Sequence, residues 1–410
     1  MRYEVLTHRA VRLKPARCVE GRGEGHNLNP GGRQTKSRQA EDADTLAVIG
    51  AGAWGTTLAA LQASNFRRVN LYTQEADAAE EINRFHSNSR YLDDFVIPRN
   101  VLATCSIERA VTGASTIIAA VPSHASRDAA RGTLAHAQKG TRVVLATKGL
   151  EKGTGLLSLE VWREELSALG SPRRKHDDFL VLSGPNLARE VCRGMPAVSS
   201  IAGHDASEVR RAARALSHPL LTLIPYHDPV GAQVSGALKN VYAVGCGMAS
   251  GLGWGDNATA AIVWRGLEET ARFAAAVGGD PGVTATPAGV GDFLATCTSP
   301  LSRNHDLGRS IVGAGADEAV RGVREGAQTA GEALRRGRSL GLEMCLLNAI
   351  WSVLAGARKP AAVLEAACGT PRRAACRRGS GFGLAPSPVK SGGLLLGCGQ
   401  PAADLGVAAE

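Results

Sequence analysis

The sequence predicts an α/β protein: a doubly wound, Rossmann-type N-terminal domain followed by an all-helical C-terminal domain. Three observations carry this expectation. Short, continuously apolar runs alternate with Ala-rich amphipathic stretches from about residue 45 onward. A Gly-rich hexad directly follows the first apolar run, and strand signals stop after about residue 228.

The apolar runs are TLAVI at 45–49, VNLYT at 69–73, STIIAAV at 115–121, RVVLAT at 142–147 and DFLVLS at 178–183. A parallel sheet covered by helices on both faces buries its strands completely, so they read as unbroken apolar segments rather than as alternation. Stretches 54–65, 124–137 and 156–169 have helical character and separate several of the runs, while 196–202 and 220–226 are candidates to extend the sheet. Segments 229–250, 257–277, 316–339 and 346–355 read as helices, with a Gly/Pro-rich break at 278–291 and no internal repeat. The expected organisation is a disordered extension at 1–44, a dinucleotide-binding domain at 45–227, a helical substrate domain at 228–366 and a disordered tail at 367–410. Ligands are expected at the carboxyl ends of the strands, in the cleft facing the helical domain.

Composition excludes several classes. No run approaches the roughly 18 apolar residues that span a bilayer, and the N-terminus has no compact apolar core of a secretory signal. Residues 1–44 are Arg-rich, as transit peptides are, but their six acidic residues argue against one; a disordered extension or an upstream start codon is the expectation. The net charge is +9, but nine Lys/Arg against six Asp/Glu lie in 1–44 and five against two in 367–410. The middle is therefore no basic stripe, and with aromatic content at 4% it does not read as a nucleic-acid binder. Nine cysteines, an odd number with no C-x-x-C pair, fit free thiols in a reducing cytoplasm better than a zinc site or a disulfide framework. No metal is expected.

Gly50-Ala51-Gly52-Ala53-Trp54-Gly55 follows a strand and opens a helix, the context that gives G-x-G-x-x-G its meaning. Gly50 permits the tight turn, Gly52 lets a pyrophosphate approach the backbone, and Gly55 lets the helix pack on the sheet. Free N–H groups and the positive end of the helix dipole hold the phosphates. An NAD enzyme usually carries an acid at the end of the second strand, near the ribose. Here Gln74 is neutral, Glu75 comes one residue later where the next helix begins, and no Arg stands at the strand end. Use of both NAD and NADP is the expectation.

Further along, polar clusters interrupt apolar surroundings. Thr147-Lys148-Gly149 ends one buried strand and Ser183-Gly184-Pro185-Asn186 ends another. Lys239-Asn240 lies inside a helix where Val234, Ala237, Leu238, Val241 and Val244 surround the lysine. A solvated helix face is the ordinary place for a lysine, but burying its charge costs several kcal/mol, which implies a purpose.

With Gly289-Val290-Gly291-Asp292 and Ser302-Arg303-Asn304 added, the ordered motifs IGAGAWGT, VPSH, ATKGLE, SGPN, GALKNV, GVGDFLATCT and SRN closely resemble the NAD(P)-dependent glycerol-3-phosphate dehydrogenases of bacterial type, over about 45–360. The resemblance implies Lys239 as proton donor and acceptor, with Lys148, Asn240, Asp292 and Thr296 around the reacting carbons. It places Gly184 and Asn186 at the substrate, and Ser302, Arg303 and Asn304 at its phosphate. Cofactor contacts would come from Gly50, Gly52, Ala53, Trp54, Gly55, Gln74, Lys148, Ala188, Arg303, Val323 and Glu325. Family members often carry a basic residue or His where Gln74 stands, and Thr where Asn186 stands. The resemblance further implies a homodimer and a supply of glycerol 3-phosphate to phospholipid synthesis.

Reduction of dihydroxyacetone phosphate needs Lys239 as a charged acid, whereas oxidation needs it neutral, so reduction is expected to be favoured near neutral pH. Two other readings stay open. Hydroxy-acid dehydrogenases of the same two-domain plan place a Lys and an Asn on a K-x-x-x-N spacing, unlike the adjacent Lys239-Asn240. A non-catalytic dinucleotide-binding regulator would not need the polar positions filled here.

Overall fold

The computed structural model describes residues 45–170, 179–314 and 325–369. The expectations for 1–44, for Val323 and for most of the C-terminal tail lie outside these residues.

The nucleotide-type half is one eight-stranded sheet in the order β3-β2-β1-β4-β5-β6-β7-β8. Its strands are β1 (Thr45–Ile49), β2 (Arg68–Tyr72), β3 (Val101–Thr104), β4 (Thr116–Ala119), β5 (Arg142–Leu145), β6 (Phe179–Ser183), β7 (Ala197–Ala202) and β8 (Leu221–Tyr226). The first six are parallel; β7 runs antiparallel to β6 and carries β8 parallel to itself. The doubly wound expectation holds, and both candidate extensions join the sheet. The central strands β1, β4 and β6 are buried at every position, which explains their unbroken apolar runs. Strand β3 escaped the sequence reading: only four residues long, it lies at the sheet edge with Val101 buried and Leu102 exposed, so it carries no continuous apolar signal.

Helices α1 (Ala53–Gln62), α2 (Ala76–Phe85), α3 (Ile107–Val111), α4 (Ser126–His136), α5 (Ser158–Ala168), α6 (Ala188–Cys192) and α7 (Ala206–Leu216) accompany the strands. Strand order reverses between β1 and β4, so the crevice outside their carboxyl ends is the expected ligand position.

From Pro229 onward the described residues form helices α8 (Pro229–Gly251), α9 (Asp256–Ala276), α10 (Asp292–Thr298), α11 (Arg303–Ala314), α12 (Glu325–Ser339), α13 (Cys345–Leu354) and α14 (Ala362–Cys368). A 3-10 turn at Pro281–Ala285 and a π turn at Pro287–Gly291 fill the Gly/Pro-rich break. Helix α14 reaches into the stretch expected as tail, because Val363 and Ala367 bury against the core.

Helix α8 is the axis of this half. Pro229 at its first turn and the Asp228 carboxylate, which accepts from Val230 and Gly231 N–H, start it firmly. It is apolar nearly all round, as a helix packed on every side must be, and it is buried from Gly231 to Ala249. Gly247 and Gly308 let α11 lie backbone to backbone on it: a Cβ on Gly247 would fall 1.9 Å from the His305 carbonyl oxygen. The two halves are also laced together beyond β5. Gly153 N–H donates to the Glu332 carboxylate at 2.9 Å, and Arg335 and Arg336 of α12 donate to the Gly153 and Gly155 carbonyls at 2.7 and 2.9 Å.

Candidate active site

The Gly-rich turn has the shape the sequence implied. Gly50 sits at φ +109°, which suits glycine alone, and a Cβ on Gly55 would lie 1.9 Å from the Gly50 carbonyl oxygen. A Cβ on Gly52 would meet nothing within 4 Å, so open space lies over that residue. Gly52 caps α1 without any side-chain bond, leaving the first-turn N–H groups of Ala53, Trp54 and Gly55 for a ligand. The Trp54 indole nitrogen is buried with no hydrogen-bond partner. These features fit a dinucleotide pyrophosphate. Ala188 begins α6, which packs beside α1; the Thr57 hydroxyl and the Cys192 thiol stand 3.1 Å apart across that contact. Gln74 is exposed beyond the end of β2.

Four motifs distant in sequence converge on one buried carboxylate. Asp292, at the start of α10, is 1% exposed. Its Oδ2 accepts from Lys148 Nζ at 2.9 Å, and its Oδ1 accepts from Lys239 Nζ. Lys148 also donates to the Gly184 carbonyl at 3.1 Å and to Asn186 Oδ1 at 2.9 Å. Lys239 donates to the Thr296 hydroxyl at 2.9 Å, and that hydroxyl donates on to the Asp292 carbonyl at 2.6 Å. Lys148, Gly184, Asn186, Lys239, Asp292 and Thr296 are thus one hydrogen-bonded cluster.

The arrangement answers the cost of burying Lys239. One carboxylate divides its two oxygens between two ammoniums, and neutral oxygens take further protons. With both lysines charged, the cluster keeps a net positive charge in a site largely closed to water, where such charge acts most strongly on a developing anion. Burial lowers the Lys148 pKa to about 8, Asp292 opposes the fall, and the Lys239 charge adds to it.

The phosphate candidates lie one step along α8. Ser302 caps α11, its hydroxyl accepting from His305 N–H at 3.3 Å. Buried Asn304 accepts from Gly326 N–H at 3.1 Å, and Gly326 lies against the Asn240 carbonyl. Asn240 and Asn304 thus both border Gly326. Arg303 is exposed at the first position of α11. Glu325 opens α12, next to Gly326.

Two hydroxyls and one arginine had no role in the sequence reading. The Ser123 and Thr329 hydroxyls flank Gly149, 3.2 and 3.4 Å from where its Cβ would stand. Ser123 belongs to the VPSH motif, a visible signal; Thr329 comes from α12, and nothing local marks it. Arg90 reaches the end of β2 from a later segment and pairs with Glu75. The absence of an arginine at that strand end is therefore a property of the sequence and not of the folded molecule.

Comparison with known proteins bears on this geometry. The family model for the N-terminus of NAD-dependent glycerol-3-phosphate dehydrogenase matches residues 45–209, and the model for its C-terminus matches 228–365. The chain belongs to the NAD-dependent glycerol-3-phosphate dehydrogenase family. It is 38% identical over 324 residues to a glycerol-3-phosphate dehydrogenase (NAD(P)+) of Xanthomonas euvesicatoria, covering 78% of this chain and 93% of that protein. A Corynebacterium urealyticum protein of the same name is 36% identical, covering 80% of this chain and 98% of its own length. The crystal structure of glycerol-3-phosphate dehydrogenase from Coxiella burnetii superposes with a TM-score of 0.72 at 29% identity, covering 80% of this chain and 99% of that one. This glycerol-3-phosphate dehydrogenase family member has no helix, among the described residues, long and apolar enough to cross a membrane, and no cluster of potential metal ligands.

Proposed function

We infer that this chain reduces dihydroxyacetone phosphate to sn-glycerol 3-phosphate with NADH or NADPH. The observation that carries this reading is the pair of lysines, Lys239 buried and Lys148 partly buried, on the single Asp292 carboxylate, beyond the carboxyl ends of the strands. A bound nicotinamide coenzyme supplies the hydride. Lys239 gives its proton to the oxygen that becomes the alkoxide, and Lys148 holds positive charge beside it. Asp292 fixes both ammoniums and Thr296 orients Lys239. Gly184 and Asn186 hold Lys148 in place and border the substrate. Ser302, Arg303 and Asn304 receive the phosphate, with Asn240 next to them. Residues 45–227 would bind the coenzyme and 228–366 the substrate, with Gly50, Gly52, Ala53, Trp54, Gly55, Gln74, Ala188, Val323 and Glu325 on the coenzyme side. A homodimer in the cytoplasm, supplying glycerol 3-phosphate for phospholipid synthesis, completes the proposal.

The direct test is oxidation of NADH on addition of dihydroxyacetone phosphate. Turnover of hydroxy acids without turnover of this substrate would favour the related dehydrogenases instead. Coenzyme binding with no turnover of either would favour a silent regulator.

Arg303 offers a planar fork that suits a phosphate. Arg303→Ala is expected to lower kcat/KM for dihydroxyacetone phosphate by about 10–150-fold, the worth of a charge-assisted contact, and to leave unphosphorylated dihydroxyacetone nearly unaffected. Equal losses on both substrates would remove Arg303 from phosphate binding.

The pH profile of reduction should report Lys148. Its charged form predominates below about 8 and is lost above it. The kcat/KM for reduction is therefore expected to decline as pH rises through about 8. A profile flat to pH 10 would mean that Lys148 stays protonated or that its charge is not used.

A further inference from the structure

A second charge pair stands apart from the lysine cluster, at the end of β2. Glu75 lies three residues beyond Tyr72 at the N-cap of α2, one residue past the position where dinucleotide-binding folds usually place the acid that meets the adenosine ribose. Its carboxylate meets the Arg90 guanidinium at 2.6 Å. The side chains are 36% and 58% exposed, so both remain open to a ligand.

Arg90 is not carried on a loose loop. Asn88, 1% exposed, donates from Nδ2 to the Ala51 carbonyl at 2.8 Å and to the Thr56 hydroxyl at 2.9 Å. Ala51 belongs to the Gly-rich turn itself and Thr56 to α1. The Ser87 hydroxyl and Ser89 N–H both donate to Glu81 Oε1 at 2.8 Å, and Leu92 is buried. Gly50 N–H donates to the Tyr72 carbonyl at 3.0 Å, joining the turn to the end of β2. The segment that delivers Arg90 is thus fastened to the phosphate-binding turn, and its arginine returns to the strand end that a coenzyme ribose would reach.

We propose that the Glu75–Arg90 pair selects between the two coenzymes, an inference that rests on the dinucleotide-binding reading of the Gly-rich turn. Toward NADH, Glu75 accepts a hydrogen bond from the 2′-hydroxyl and keeps its bond to Arg90. Toward NADPH, Glu75 repels the 2′-phosphate, and Arg90 leaves Glu75 to pair with it. The chain accepts both coenzymes for this reason and binds NADH the more tightly.

Direct fluorescence titration with NADH and NADPH, without substrate, tests the proposal on the unmodified chain, Arg90→Ala, Arg90→Lys and Glu75→Gln. Arg90→Ala is expected to weaken NADPH at least about tenfold and NADH by less than about threefold, with Arg90→Lys restoring part of the NADPH affinity. Glu75→Gln is expected to tighten NADPH and weaken NADH, moving their ratio several-fold. Equal losses for both coenzymes in Arg90→Ala, or no change for either, would overturn the proposal and leave an ordinary surface ion pair. An unmodified chain that binds neither coenzyme would overturn this proposal and the dinucleotide reading together. Binding of both without reduction of dihydroxyacetone phosphate would sink the dehydrogenase reading alone.

Discussion

Lys239→Ala is expected to lower kcat for dihydroxyacetone phosphate reduction by at least about 100-fold, the low end for general acid catalysis, with NADH affinity nearly unchanged. The substitution removes the donor that the Thr296 hydroxyl and Asp292 hold in place. It does not leave Asp292 without a counter-charge, because Lys148 still donates to the other carboxylate oxygen at 2.9 Å. The variant should therefore fold, and its defect should lie in the chemical step. A coenzyme titration beside single-turnover kinetics separates the two. Near-normal turnover in a folded Lys239→Ala chain would take the residue out of the mechanism and leave Lys148 as the candidate acid.

Asp292→Asn should do more damage, to stability as well as to rate. The amide preserves shape but replaces one acceptor oxygen with an N–H donor, which then faces an ammonium. Buried Lys239 and partly buried Lys148 lose their shared counter-ion, and removing one partner of a buried ionic set costs about 3–5 kcal/mol. Each lysine keeps a neutral acceptor, Thr296 for Lys239 and the Gly184 and Asn186 oxygens for Lys148, so the cluster is weakened rather than emptied. Asp292 is also the influence that holds the Lys148 pKa up against burial. Without it Lys148 should lose its proton at a lower pH, and any remaining activity should decline at a lower pH than in the unmodified chain. Urea unfolding measures the first effect and the pH profile the second. Unchanged stability together with an unchanged profile would mean that Asp292 does not neutralise the two lysines.

The legible parts of this molecule were those whose signal is local. The runs TLAVI, STIIAAV and DFLVLS are continuous because helices cover both faces of their strands, and burial at every position of β1, β4 and β6 follows directly. The hexad from Gly50 to Gly55 was readable because its glycines meet steric demands within the same turn. Lys239 was readable because a charge inside an apolar helix is costly wherever that helix packs. Strand β3 was not legible, being a short edge strand with alternating burial. Nor was α11 as a helix, since Gly247 and Gly308 admit it against α8 and that contact is not visible in either segment alone.

By itself the sequence determined the two-part architecture, the position of the Gly-rich turn and the residue types proposed to move a proton and hold a phosphate. These depend on periodicity, on backbone sterics and on the cost of burying charge, all set by near neighbours in the chain. Tertiary structure alone decided how those residues combine. Asp292 meets Lys148 across 144 residues and Lys239 across 53, so the sharing of one carboxylate between two lysines, and the burial that lowers the Lys148 pKa against the pull of Asp292, exist only after folding. Arg90 stands at the end of β2 for the same reason: Asn88 bonds back to Ala51 and Thr56, and the chain returns a guanidinium to a strand end whose own residues provide none. Electrostatic interactions depend on separation in space, and folding sets that separation for residues far apart in the chain.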